Sequence, residues 1–247
     1  MAVINKTSMK RDSVKILIAL FFLIAAGNLI SHMFAVEWLE YATKPFLMIL
    51  LFLIFTFSCK DQKSIPFRLT AMALFFSWVG DIFLLFQPLN EKLFMLGLVA
   101  FLIAHIFYVI DYRKLRFQVK KDNKSQTFIN VRIVFLVLIG IALYSTLFNH
   151  IDNLKIPIAI YTIVIIIMAI AAVQRKGRTS DRSFLLIYFG ALLFIMSDSM
   201  IAINKFIEPI IYGRVLIMLT YIFAQYLIIQ GILKHKEEEF DLGDQDN

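Results

Sequence analysis

One cysteine, Cys59, stands in a chain of 247 residues. That excludes an intrachain disulfide and any zinc site built from several cysteines. Histidine is nearly as scarce, with four in all, and only His105 lies deep in an apolar stretch. A histidine-rich zinc hydrolase therefore has little to draw on. Charge is the third shortage: Asp, Glu, Lys and Arg make up 17% of the chain against 60% hydrophobic residues, and the mean hydropathy is +0.77. Soluble domains have an apolar fraction nearer one half. The balance is that of a polytopic helical membrane protein. The net charge of +7 does not point to nucleic acid, because the basic residues sit in short loops between apolar spans, where membrane topology accounts for them.

Eight apolar stretches approach the roughly 20 residues that a hydrocarbon core requires. They run from about 14 to 34, 39 to 59, 67 to 86, 92 to 112, 130 to 149, 156 to 174, 183 to 203 and 210 to 233. The first is longer than the apolar core of a signal peptide and is followed closely by another span, so it reads as a retained helix. Lys and Arg in the N-terminal segment and every second loop after it number twenty, and in the alternate loops five. That asymmetry places both termini in the cytoplasm. The longest connection, Arg113 to Arg132, contains the polar run KKDNKSQ and divides the chain into halves of about 14–112 and 130–233, leaving a short polar tail at 234–247.

Features of the first half recur in the second at a nearly constant offset. Lys15 corresponds to Arg132, His32 to His150, Asp81 to Asp198 and Gly97 to Gly213, all 116 to 118 residues apart. Four helices per half is an even number, so both halves enter from the same side. The expected fold is one all-α membrane domain of eight transmembrane helices in two parallel four-helix repeats.

The residues with chemistry are few. The span LTAMALFFSWVGDIFLLF, from Leu69 to Phe86, carries Asp81 in its interior, and SFLLIYFGALLFIMSDSMIAI, from Ser183 to Ile203, carries Asp198 at nearly the same distance from its start. An ionisable side chain inside a membrane helix is costly and marks a functional site by default. Asp81 has a structural alternative in a hydrogen bond from Ser77 one turn earlier. Lys44 lies near the outer start of the second span, with Pro45 after it in a first-turn position that a helix tolerates. It reads either as an interfacial snorkel or as a contact for an anionic group. His105, with Tyr108 on the same face three residues on, either bridges helices or serves the site. Tyr221 and Gln225, one turn apart, are interhelical glue or substrate contacts. Gly97, Ala100 and Ala104 form a small-residue stripe that lets helices approach. On these residues alone an enzyme, a proton-coupled carrier of an amphipathic lipid and a structural subunit all remain open.

The order of these motifs resembles one family. Lys44-Pro45, Gly80-Asp81, GLVAFLIAHIFY from Gly97 to Tyr108, GALLFIMSDSMIAINKF from Gly190 to Phe206 and TYIFAQYLI from Thr220 to Ile228 are similar to the motifs of the YhhN-type lysoplasmalogenases, over most of the chain. The resemblance implies a hydrolase of the bacterial cell membrane that cleaves the vinyl ether of a lysoplasmalogen to a fatty aldehyde and glycerophosphoethanolamine or glycerophosphocholine. It implies Asp81 and Asp198 as the catalytic pair and Lys44, His105, Tyr108, Asn204, Tyr221 and Gln225 as substrate-binding or supporting residues. The expected partners are a lysophospholipid and the bilayer, with no metal or cofactor. Enol-ether hydrolysis suits two carboxylates, since glycosidases meet a related cation with one protonated acid and one ionised base.

Overall fold

The computed structural model describes residues 2–59, 61–115 and 123–245, with side chains at 12–59, 61–115 and 126–239. Of the basic residues that set the expected topology, Lys60, Arg116, Lys120 and Lys121 lie outside the described residues. So do the side chains of Lys6, Lys10, Arg11 and Lys124. All regular structure among the described residues is helical: α1 (Ala2–Met33), α2 (Glu37–Ser58), α3 (Ile65–Leu85), α4 (Lys92–Lys114), α5 (Asn123–Leu147), α6 (Lys155–Val173), α7 (Asp181–Phe206) and α8 (Gly213–Gln245), with single 3-10 turns at Gln87–Leu89 and Asp152–Leu154. Each of the eight is long and apolar enough to cross a membrane. The protein is an all-α, eight-span integral membrane protein.

Local sequence explains where the acid-bearing helices start. Ser64 caps α3 by accepting the Phe67 N–H at 3.3 Å, and Pro66 follows where the missing N–H costs nothing. Ser180 caps α7 in the same way, accepting the Ser183 N–H at 3.2 Å. α8 runs on through the segment expected to be a tail. Its polar end is sustained by ion pairs one turn apart, Lys234 to Glu237 at 2.9 Å and to Glu238 at 3.9 Å.

The chain forms two compact units, one up to Ala104 and one from His105 onward, the boundary falling within α4. In the first unit, α1 meets α2 through Asn28, whose Nδ2 donates to Thr43 Oγ1 at 3.0 Å. α2 meets α3 through a stacked Phe55–Phe67 pair, 5.1 Å between centroids, and through Trp78, whose indole N–H donates to the Pro45 carbonyl at 3.0 Å. Pro45 itself is in the interior of α2 and not in its first turn, because the helix begins at Glu37, earlier than the apolar run. Pro45 consequently has no N–H to donate to the Tyr41 carbonyl. α3 and α4 approach across Gly80 and Gly97: a Cβ on Gly80 would fall 2.6 Å from the Phe101 ring, and one on Gly97 2.9 Å from Leu84 Cδ2. The small-residue stripe is thus a packing surface.

In the second unit, α7 and α8 are the most closely packed pair. A Cβ on Gly190 would lie 2.9 Å from the Ala224 carbonyl oxygen, and Ser183 and Ser197 donate to the Gly231 and Ile217 carbonyls at 2.8 and 3.1 Å. Arg132 of α5 lies over the Phe128 and Tyr188 rings, 3.6 and 4.6 Å from their centroids. Arg175, counted above among the loop cations, is wholly buried. Its Nη1 donates to the Leu115 carbonyl at 2.5 Å and its Nη2 to Ser183 Oγ at 3.0 Å. It therefore ties helix ends together instead of facing a membrane surface. His235 is buried too, bonded to Thr179 Oγ1 at 2.9 Å, so His105 is not the one histidine with a place inside the helices.

Candidate functional site

Asp198 projects from the middle of α7 with its side chain 10% exposed. A phenol from α6 meets it: the Tyr161 hydroxyl donates to Asp198 Oδ2 at 2.5 Å. The imidazole of His105 lies beside the same oxygen, Nε2 at 3.8 Å, which is too long for a hydrogen bond. His105 is fully buried and held by ring contacts, edge-on to Tyr161 at 5.5 Å and to Phe194 at 4.7 Å. Phe194 in turn packs edge-on against Tyr221 at 5.6 Å. The Asp198 carboxylate thus has the Tyr161 hydroxyl as a donor and the His105 imidazole nearby, in an aromatic setting.

Asp81 in the first unit is 2% exposed, and Ser77 one turn before it is fully buried. Trp78, on the same helix, anchors the level of Asp81 to Pro45, and Lys44 stands next to that proline. Lys44 is 8% exposed, with Nζ 4.0 Å from Glu40 Oε1, and His32 Nδ1 lies 3.8 Å from Glu40 Oε2. Among the described residues no three His, Cys, Asp or Glu side chains come together to hold a metal ion.

The chain matches the YhhN family over residues 39–232. It belongs to that family. Relatives include the lysoplasmalogenase TMEM86A of Homo sapiens, 31% identical over 170 residues, which is 67% of this chain and 65% of that protein. The lysoplasmalogenase TMEM86B of Sus scrofa is 28% identical over 157 residues, 63% and 59% of the two chains. A lysoplasmalogenase of Mycobacterium bovis is 29% identical over 167 residues, 67% and 60%. The chain aligns with less than two thirds of the length of these relatives. No solved structure matches it.

Within this YhhN family member the sequence-derived residues of the second unit fall into three groups. His105 and Asp198 come together, and Tyr221 supports them through Phe194. Tyr108 and Gln225 bond to each other, hydroxyl to amide oxygen at 2.6 Å, which is the interhelical role left open above. Asn204 accepts the Ile210 N–H at 3.0 Å and so holds the turn between α7 and α8. Tyr161 is the residue that sequence reasoning missed, because a single tyrosine in the run IAIYTIVIIIMAIAAV reads as packing. The sequence carries no signal that singles it out, since its partner lies 37 residues away on another helix.

Proposed function

We propose that the protein hydrolyses the vinyl ether bond of a lysoplasmalogen, releasing a fatty aldehyde and glycerophosphoethanolamine or glycerophosphocholine. The observation that supports this most is the Asp198 carboxylate, largely buried on an apolar helix, with Tyr161 and His105 against it, in a chain whose family includes proteins named lysoplasmalogenase. The reaction begins when the π electrons of the enol ether take a proton at the β-carbon. The resulting cation is shared by the adjacent carbon and the ether oxygen. Water adds to that carbon and gives up a proton, and the hemiacetal then breaks its bond to the glycerol oxygen. Carboxyl groups supply what this needs, an acid to protonate carbon and a carboxylate to balance the cation and accept the proton of water. Asp198 and Asp81 are assigned these parts jointly.

The remaining roles follow from chemistry. Lys44 receives the phosphate of the lipid, and His105 tunes the electrostatics at Asp198. Both termini face the cytoplasm in this reading, and the protein resides in the cell membrane as one domain built from two parallel repeats.

Purified protein in detergent, given an alkenyl lysophospholipid and assayed for aldehyde, tests the proposal. Aldehyde release with no ion gradient is the expected result, with a bell-shaped pH profile since one carboxyl must be protonated and the other ionised. No product in detergent, together with gradient-driven lipid flux in vesicles, would make the protein a carrier.

A further inference from the structure

Glu40 lies in the first turn of α2 and Lys44 one turn further in, at the end of a spanning helix, the level at which lipid head groups lie. The Lys44 ammonium is 4.0 Å from Glu40 Oε1, and Glu40 Oε2 is 3.8 Å from Nδ1 of His32 on α1. Both distances exceed hydrogen-bond length. Among the described residues, neither the Lys44 ammonium nor the Glu40 carboxylate takes part in a hydrogen bond. An ammonium has three hydrogens to donate and a carboxylate two oxygens that accept. These side chains are only 10% and 19% exposed, and charges held largely out of water require such partners.

Placement ties the pair to Asp81 within the first unit. α2 touches α3 where Pro45 meets Trp78 and where Tyr41 meets Phe86, just past the end of α3, with ring centroids 5.5 Å apart. Asp81 falls between Trp78 and Phe86, and three residues from Trp78 puts it on the same face of α3. Lys44 falls between Tyr41 and Pro45. The charged pair and Asp81 therefore share one level of the unit.

We propose that Glu40 and Lys44 are a head-group site, with Lys44 donating to the phosphate and Glu40 accepting from the primary ammonium of a phosphoethanolamine lipid. A ligand that carries a phosphate next to an ammonium gives each of the two side chains a counter-ion and hydrogen bonds at once. The order along α2 suits it. Glu40 is nearer the helix end, so the ammonium at the tip of the head group lies outermost and the phosphate one turn deeper. The quaternary ammonium of choline has no N–H and gains only charge attraction from the carboxylate. This inference rests on the vinyl-ether reading for its substrate and narrows the two head groups of that reading to ethanolamine.

Alkenyl lysophospholipids of one chain length with either head group test it. In native protein kcat/KM for the ethanolamine lipid should exceed that for the choline lipid by about tenfold or more, the worth of a hydrogen bond between charged groups, and in Glu40→Gln the ratio should fall to about one, through KM. Equal use of both lipids by native protein overturns the inference whether or not the variant folds. So does an undiminished ratio in folded Glu40→Gln. A second readout needs no turnover: melting in detergent with phosphoethanolamine, phosphocholine or inorganic phosphate. Phosphoethanolamine should raise the melting temperature of native protein most. An equal rise with inorganic phosphate would leave a plain anion contact and no part for Glu40, which also overturns the inference. Native protein that releases no aldehyde yet is stabilised selectively by phosphoethanolamine would remove the vinyl ether as the bond cleaved and leave the head-group site standing.

Discussion

Asp81 and Asp198 sit on helices that begin alike and end up in different company. From Ser64 to Asp81 is seventeen residues and from Ser180 to Asp198 eighteen, each counted from a serine that caps the helix. The second acid accepts a hydrogen bond from a phenol and has an imidazole beside it. The first lies more deeply buried, on a helix anchored to α2 by an indole and pressed against α4 at the neighbouring Gly80. Equal placement along a helix does not make two carboxyl groups equal, because their chemistry is set by what neighbouring helices bring to them.

The largest expected effect strikes both acids at once. Asp81→Asn and Asp198→Asn should each lower kcat by about a thousandfold or more, since an amide of the same shape neither gives up a proton nor balances a cation. The double variant should be little worse than either single one. Circular dichroism and melting in detergent should show both variants folded. Two acids with independent structural roles would produce melting losses and leave turnover in proportion to folded protein.

Next in size is a contrast in packing. Gly190→Ala should cost about 1 to 3 kcal/mol, because the added methyl meets a backbone carbonyl of α8 that has nowhere to go. Gly80→Ala should cost less, since it meets only the ring of Phe101. Thermal denaturation of the two variants ranks them, and a reversed order would mean that the first unit is the more tightly closed of the two.

A smaller effect separates ring from nitrogen at His105. His105→Phe keeps the contacts with Tyr161 and Phe194 and removes the ring nitrogens beside Asp198, so kcat should fall by about tenfold or less with stability retained. Unchanged turnover would make the histidine a packing residue. Smallest is Lys44→Ala, for which KM should rise about fivefold at constant kcat, the mark of binding lost equally from ground and transition states.

How much of this could be read from the chain differs by element. All eight helices were legible, since apolar runs of spanning length are bounded by serine, proline and basic residues, and structured ends shifted mainly where polar sequence continues a helix. α8 is the instructive case: KHKEEEFDLGDQ looks like a solvated tail, but Lys234 and its two glutamates sit at helical spacing and carry the helix onward. Both aspartates stood out because carboxyl groups in apolar helices are expensive. Tyr161 did not, because a tyrosine costs little there and its partner lies 37 residues away on another helix. The pairing of Tyr108 with Gln225, separated by 117 residues, was hidden for the same reason: each alone looks like a group awaiting substrate, and only the packing of α4 with α8 shows that they satisfy one another.

The guanidinium of Arg175 also imposes an order on how the protein is made. The carbonyl at the end of α4 that it caps belongs to Leu115, sixty residues earlier in the chain, and its other partner, Ser183, is bonded onward to Gly231 in α8. A growing chain that has threaded its first four helices into the bilayer has not yet synthesised the group that completes the fourth. The Leu115 bond waits until the residues after α6 are made, the Ser183 bond until α7 begins, and the serine link to α8 comes later still. A chain ending before Arg175 would leave the Leu115 carbonyl without this donor.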